Sequence, residues 1–155
     1  MSKKLQYREP NRFKKFDYSK SAYYFVTICV EDLIETFGQI DKTMHVNEFG
    51  IEVEIQWKDL VNLFDVSLDE YIIMPDHIHG IIILEESNDQ SLFTIVNTFK
   101  SNVEREIRKT LPSFAWENSF FDRVLHNDNE LCHVRNYIQQ NVQKWEEERN
   151  QENNS

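Results

Sequence analysis

Two apolar stretches with only two residues between them constrain the fold of this 155-residue chain more than any other feature. Residues 68–74 and 77–84 are rich in isoleucine, leucine and methionine, and Pro75-Asp76 separates them. Each stretch has the length of a buried β-strand, and proline followed by aspartate is typical of a turn. Strands joined by so short a connection pair in antiparallel fashion, so the sequence predicts an antiparallel sheet built around this hairpin.

The rest of the chain changes between β-like and helical patterns, which predicts an α+β domain. Residues 23–30 form an uncharged run of aromatic and β-favouring side chains, typical of a buried strand. From Asn47 onward, apolar residues recur at helical spacing, and Asn47 itself suits a helix N-cap. We expect the helices to cover one face of the sheet. The predicted strands are residues 23–30, 36–40, 43–46, 68–74, 77–84 and 120–125, and the predicted helices are residues 47–64, 90–110 and 128–149.

Charge is distributed unevenly along the chain. The formal net charge is −10, yet residues 1–20 hold seven basic and two acidic side chains. Residues 21–89 hold fifteen acidic side chains and only two basic ones. The sequence therefore predicts a basic N-terminal arm over residues 1–20, one domain over 21–149 and a polar tail over 150–155. The acidic body argues against diffuse DNA binding, and the arm is either a solubilising tail or a local phosphate contact.

Other features exclude several classes of protein. No apolar run approaches the roughly 18 residues that span a bilayer, and no apolar segment typical of a secretion signal follows the N-terminus. Cys29 and Cys132 are too few and too far apart for a disulfide framework or a cysteine-based zinc site. We therefore expect a soluble, intracellular protein with no membrane partner.

The sharpest local motif is His77-Ile78-His79 at the start of the second strand of the hairpin. Side chains at i and i+2 of a strand project from the same face, roughly 6–7 Å apart along the chain. Two imidazoles in that arrangement can converge on one metal ion, with Ile78 and Ile81 expected on the opposite, core side. The alternative is a solvent-facing histidine pair on a half-exposed strand.

A second motif lies on the last predicted helix, where Tyr137 and Asn141 are four residues apart and share a face with His133 and Lys144. A tyrosine beside an apolar stripe usually serves packing. Placed over a histidine-bound metal, its phenol can instead be a nucleophile, but it needs a nearby cation or base because its ordinary pKa is near 10. The amide oxygen of Asn141 could then supply a third metal ligand.

The stretches that carry these residues resemble the single-tyrosine transposases of the HUH nuclease superfamily. The segment PDHIHG at residues 75–80 is similar to the family's His-hydrophobe-His motif, and VRNYIQQN at residues 134–141 is similar to its tyrosine motif. Further landmarks match in order, including YFVTIC at residues 24–29 and WENSFFDRVL at residues 116–125. Asparagine four residues after the tyrosine is typical of REP-associated tyrosine transposases. Val142 stands where the family usually has proline, so the helix is expected to end differently here.

The resemblance implies a ferredoxin-like antiparallel sheet with helices on one face and a C-terminal helix that carries the nucleophile. It implies that His77 and His79 bind a divalent metal, Mg²⁺ or Mn²⁺, that Asn141 is a third ligand, and that Tyr137 is the nucleophile. The implied activity is metal-dependent cleavage and strand transfer of single-stranded DNA through a 5′-phosphotyrosine. The alternative is a catalytically silent protein, derived from a transposase, that binds DNA hairpins.

The implied partner is single-stranded DNA with a hairpin, and the implied location is the bacterial cytoplasm, at the nucleoid when the protein is bound to DNA. Related insertion-sequence enzymes work as dimers, so the chain is expected to be either a monomer or a homodimer. The candidate phosphate contacts are five basic residues, of which the last two match family landmarks: Arg12, Lys14, Lys15, Lys100 and Arg123.

Overall fold

The computed structural model describes residues 21–153 and shows a four-stranded antiparallel sheet with four α-helices. The arm over residues 1–20, with its candidate contacts, lies outside the described residues. The strands are β1 (Ala22–Cys29), β2 (Gly38–Asp41), β3 (Thr43–Val46), β4 (Val66–Met74), β5 (His77–Leu84) and β6 (Phe121–Leu125). The helices are α1 (Glu48–Leu63), α2 (Leu92–Ile107), α3 (Asp128–Gln139) and α4 (Asn141–Asn153).

The predicted hairpin is confirmed and lies within the main sheet, whose strand order is β4-β5-β1-β6. Met74 at the end of β4 is opposite His77 at the start of β5, so Pro75-Asp76 makes the turn. On its other side β5 pairs with β1, with Cys29 opposite His77 and Thr27 opposite His79. Strands β2 and β3 form a separate two-stranded hairpin.

The sheet is buried on both faces, and the two faces contact different helices. Alternate residues of β5 separate the two cores: Ile78 and Ile82 pack with α1 and α2, whereas Ile81 and Ile83 pack with α3. The expectation of helices on one face therefore holds for α1 and α2, while α3 packs on the opposite face. The prediction that Ile81 lies on the face opposite the histidines is wrong. Residues 77, 79 and 81 are each two positions apart on β5, so their side chains share one face of the sheet.

Helix starts follow the capping residues in the sequence. Asn47 accepts hydrogen bonds from the backbone N–H groups of Phe49 and Gly50 at 2.9 and 3.0 Å, as predicted. Ser91 accepts from the N–H of Thr94, so α2 begins at Leu92 and is shorter than the predicted 90–110.

Among the described residues, no helix has the length and apolar character needed to cross a bilayer.

The last predicted helix, 128–149, is two helices in the structure. Gln140 has φ −93° and ψ 1°, outside helical geometry, and it separates α3 from α4. Beyond this break α4 contacts the β2–β3 hairpin, where the backbone N–H of Lys42 donates to the Glu146 carboxylate at 2.8 Å. Helix α4 runs through Asn153, so the polar tail predicted from residue 150 is helical as far as residue 153.

Candidate active site

The two histidines of the motif meet at the turn end of β5. Their Nε2 atoms are 3.0 Å apart and their ring centroids are 4.5 Å apart. His79 is 6% exposed, and His77 is partly exposed at the start of the strand. The strand geometry predicted from i and i+2 spacing thus turns two imidazole nitrogens toward the same point.

Each histidine is oriented by a hydrogen bond at its other ring nitrogen. Nδ1 of His77 lies 2.5 Å from the Asp76 carboxylate, and Nδ1 of His79 lies 2.8 Å from the Thr27 hydroxyl. Metal-binding histidines commonly use one nitrogen for such a support and the other for the metal. Neither Asp76 nor Thr27 was identified from the sequence as part of the site. Asp76 could have been inferred from its position next to His77 in the sequence. The contact of Thr27 with His79 depends on the register between β1 and β5, which the sequence does not show.

Burial keeps the His79 imidazole neutral. Desolvation, with a smaller contribution from the neighbouring His77, lowers the pKa of His79 from 6.5 to about 3. A neutral imidazole retains the lone pair that a metal ion needs. At neutral pH the His79 ring is therefore uncharged and has one ring nitrogen with a free lone pair.

Tyr137 lies beside the histidine pair, in the last turn of α3. Its ring centroid is 5.4 Å from that of His79 and 6.0 Å from that of Phe25, and both contacts are edge-on. The side chain keeps 38% of its surface exposed, so the phenol is accessible to a large substrate. Lys144 places its Nζ 5.7 Å from the Tyr137 ring centroid, which brings a positive charge to the phenol.

Asn141 joins the same site because α4 begins there. The residue is 7% exposed and lines a cavity of about 390 Å³ together with His77, His79 and Tyr137. Trp145, one turn further along α4, lies against His77 with ring centroids 6.4 Å apart. One chain therefore brings together all four residues that the sequence indicated for catalysis and metal binding.

Comparison with known proteins identifies the family. The sequence model of the family described as "Transposase IS200 like" matches residues 36–141, a span that includes both histidines, the tyrosine and Asn141. The chain belongs to the IS200-like transposase family. The resemblance of the sequence to tyrosine transposases is confirmed.

Two proteins of Haemophilus influenzae (strain KW20 / Rd) are among the relatives of this chain. An uncharacterized protein is 28% identical, with 93% of this chain and 93% of the relative aligned. A second, named "Putative REP-associated tyrosine transposase", is 25% identical over 83% of this chain and 74% of its own length. A solved structure of a REP-associated tyrosine transposase bound to a REP hairpin shares the fold with a TM-score of 0.66 and 16% identity. That match covers 87% of this chain and 73% of the other.

The donor atoms at this site fit a divalent metal. The Nε2 atoms of His77 and His79 face each other, the Nδ1 atom of each ring has a hydrogen-bond partner, and the amide of Asn141 lines the same cavity. Within residues 21–153, no three His, Cys, Asp or Glu side chains come together as a ligand set. A third protein ligand is therefore expected from the Asn141 amide, and substrate oxygens suit the remaining positions of Mg²⁺ or Mn²⁺.

A buried ion pair fixes α3 on the sheet close to Tyr137. Arg135 donates from Nε and a terminal nitrogen to the two carboxylate oxygens of Asp69, at 2.7 and 2.6 Å. Asp69 is in a β-bulge, where it and Glu70 both lie opposite Ile81. Desolvation acts to lower the pKa of Arg135, but the hydrogen bonds and charge of Asp69 outweigh it, so the pKa is raised.

The candidate DNA contacts within the described residues differ in accessibility. Lys100 is 7% exposed, and its ammonium donates to the backbone carbonyl of Glu117 at 2.6 Å. Its burial lowers the pKa of Lys100, and a phosphate contact would require the ammonium to leave that carbonyl. Arg123 is exposed on β6, opposite Phe25, and so lies on the sheet face that carries the histidines.

Proposed function

We propose that this protein is a metal-dependent endonuclease and strand transferase that acts on single-stranded DNA containing a hairpin. The observation that carries the proposal is the meeting of one accessible phenol, Tyr137, with the paired Nε2 atoms of His77 and His79 in a single open cavity. Family membership supports the transposase class. The hairpin substrate is supported by the solved relative described as bound to a REP hairpin.

Tyr137 is the nucleophile in the proposed reaction. Its phenolic oxygen forms a bond to the scissile phosphorus while the bond from phosphorus to the 3′ oxygen breaks. The phenolic proton is balanced by the proton that the departing 3′ oxygen acquires, which leaves a 5′-phosphotyrosine and a free 3′-hydroxyl. Lys144 holds its positive charge 5.7 Å from the Tyr137 ring centroid, so a cation lies beside the nucleophile during this exchange.

The second half of the reaction is the reverse exchange. A 3′-hydroxyl from another strand attacks the phosphotyrosine, the phenol leaves, and a new phosphodiester forms. One phosphodiester replaces another in each step, so neither water nor an energy-rich cofactor is consumed. Strand transfer therefore requires the phosphotyrosine and the incoming 3′-hydroxyl to be held next to each other, but it requires no further substrate.

His77, His79 and the amide of Asn141 are the groups that would hold the metal. When bound there, a divalent ion neutralises the non-bridging oxygens of the scissile phosphate. Asp76 and Thr27 keep the two imidazoles turned toward that position. All of these residues come from one chain, so a second copy is not needed to complete the ligand set.

The experiment is covalent capture. The protein is incubated in Mg²⁺ or Mn²⁺ with a library of hairpin-containing single strands, denatured with detergent, and the attached strands are sequenced. We expect wild-type protein to form adducts, Tyr137→Phe to form none while still binding DNA, and His79→Ala to lose adducts and Mn²⁺ affinity together. Tyr24→Phe is the matched control, because Tyr24 packs with the core on the opposite face of the sheet.

The outcomes separate the two candidate functions. Binding of the library without any adduct from the wild type would indicate the catalytically silent hairpin-binding protein instead. Adducts that persist in Tyr137→Phe would assign the nucleophile to another residue. An unchanged response to Mn²⁺ in His79→Ala would remove the metal ligands from the proposal.

A further inference from the structure

The strand register arranges the active-site face of the sheet in rows. One row runs from His79 on β5 through Thr27 on β1 to Phe121 on β6. Side chains that are opposite each other in paired strands point to the same face. With strands about 4.8 Å apart, Phe121 is two strands, roughly 10 Å, from His79 along this row.

A second row, next to the first, contains Phe25 and Arg123. Phe25 stacks on His79 at a centroid distance of 5.5 Å and contacts Tyr137, so this row also borders the site. Arg123 follows Phe121 at i+2 on the same strand and face, roughly 7 Å away. An aromatic ring and a guanidinium are thus side by side at the edge of the catalytic face.

This edge is open, because α3 covers a different part of the face. The helix packs against Tyr23, Ile81, Ile83 and Leu125. Phe121 is 71% exposed, which is the largest exposure among the large hydrophobic side chains of the described residues. Among residues 21–153, β6 pairs with β1 alone and forms the edge of the sheet, so within this part of the chain the outer side of Phe121 is open to a flexible strand.

We propose that Phe121 is a stacking platform for an unpaired DNA base next to the scissile phosphate, with Arg123 as the adjoining phosphate contact. The inference rests on the proposed function and extends it to a binding position that the catalytic residues do not define. Single-strand-binding proteins combine aromatic rings that stack on bases with cations that follow the backbone. Base stacking tolerates any sequence because every base has a π face, so this position supplies affinity and placement rather than readout.

The competing explanation for an exposed phenylalanine on an edge strand is contact with a second copy of the chain. Edge strands do offer unpaired backbone groups to other strands. Contact with a nucleotide is favoured here for two reasons. Phe121 lies opposite Thr27, whose hydroxyl orients His79, and the neighbour of Phe121 on the same face of β6 is the cationic Arg123. A self-association surface would not need either relation.

The test measures binding separately from chemistry, in a Tyr137→Phe background without divalent metal. The probe is a fluorescent library of DNA hairpins that carry randomised single-stranded flanks. Phe121→Ala is compared with Phe121→Trp and with Phe93→Ala, whose side chain is 68% exposed on α2, away from this face. In parallel, flanks that contain 5-iododeoxyuridine are photocrosslinked and the crosslinked peptide is identified by mass spectrometry.

We expect Phe121→Ala to raise the Kd roughly 5- to 150-fold, the range for loss of one base–aromatic stack. Phe121→Trp should bind as well as the parent, Phe93→Ala should be unchanged, and the crosslink should lie on Phe121. Retention of the library with equal Kd values for Phe121→Ala and Phe93→Ala overturns this inference alone. If Phe121→Ala changes the sedimentation coefficient of the protein but not its Kd for the library, the inference is also overturned, and Phe121 serves self-association instead. Failure of the parent to retain any hairpin overturns the proposed function itself.

Discussion

Removal of Arg135 tests whether the buried ion pair holds in place α3, the helix that contains Tyr137. Asp69 is fully buried, and both of its oxygens accept hydrogen bonds from this one guanidinium. Arg135→Met keeps an apolar side chain of similar reach but leaves the Asp69 carboxylate without that cation. Loss of one partner from a buried pair costs about 3–5 kcal/mol, because the remaining charge is desolvated and uncompensated.

That cost is large enough to measure by urea denaturation and by thermal denaturation, each followed by circular dichroism. For a domain of this size each kcal/mol shifts the melting temperature by about 2–4 °C, so a decrease of roughly 6–20 °C is expected. Asp69→Leu combined with Arg135→Met should be more stable than Arg135→Met alone, since both charges are then removed. The reference is Arg149→Ala, which breaks an exposed pair with Glu35 and should cost less than about 1 kcal/mol. If Arg135→Met costs no more than Arg149→Ala, the ion pair does not anchor α3.

Three further predictions concern the residues around the histidines. In EDTA, stability should fall as the pH falls from 6.5 toward 3, because the folded-state pKa of His79 is lowered to about 3 and the unfolded chain then binds more protons. Between pH 7 and pH 5 the lowered pKa of His79 should decrease the free energy of unfolding by about 2 kcal/mol. His79→Gln should remove this decrease. If denaturant titrations give the wild type and His79→Gln the same dependence of unfolding free energy on pH, the prediction is wrong. Asp76→Ala should weaken Mn²⁺ binding about 10- to 100-fold by calorimetry with little change in melting temperature, and an unchanged affinity would exclude it as a support for His77. Gly80→Ala should destabilise the protein by about 1–3 kcal/mol, because its Cβ would lie 2.3 Å from Cζ2 of Trp57; an unchanged melting temperature would show that the ring can move aside.

Much of the sheet was predictable from the sequence because local patterns determined it. The two-residue separation of β4 and β5 leaves little choice but an antiparallel hairpin, and the i and i+2 spacing of His77 and His79 places both on one face. Tyr137 and Asn141 were recognised through their motif. The structure then places them in one cavity with the histidines.

What the sequence missed depends on contacts between distant segments. The break at Gln140 has no glycine or proline to mark it, so the apolar pattern of residues 128–149 predicted one continuous helix. Thr27 supports His79 only because of the register between β1 and β5. The burial of Lys100 against the Glu117 carbonyl depends on the loop that leads to β6. Nothing in the sequence distinguishes Phe121 from other strand residues. Its exposed position follows from the strand order, which puts β6 at the edge of the described sheet.

The most direct test of the proposed function is to locate the covalent bond between protein and DNA. DNA adducts of the wild-type protein are digested with nuclease and protease, and the peptide that retains a nucleotide is sequenced by mass spectrometry. The proposed mechanism predicts a phosphodiester between the Tyr137 phenolic oxygen and a 5′-phosphate, with a free 3′-hydroxyl on the released strand. Attachment at any other residue, or release of a 5′-hydroxyl with the phosphate on the 3′ side, would contradict it.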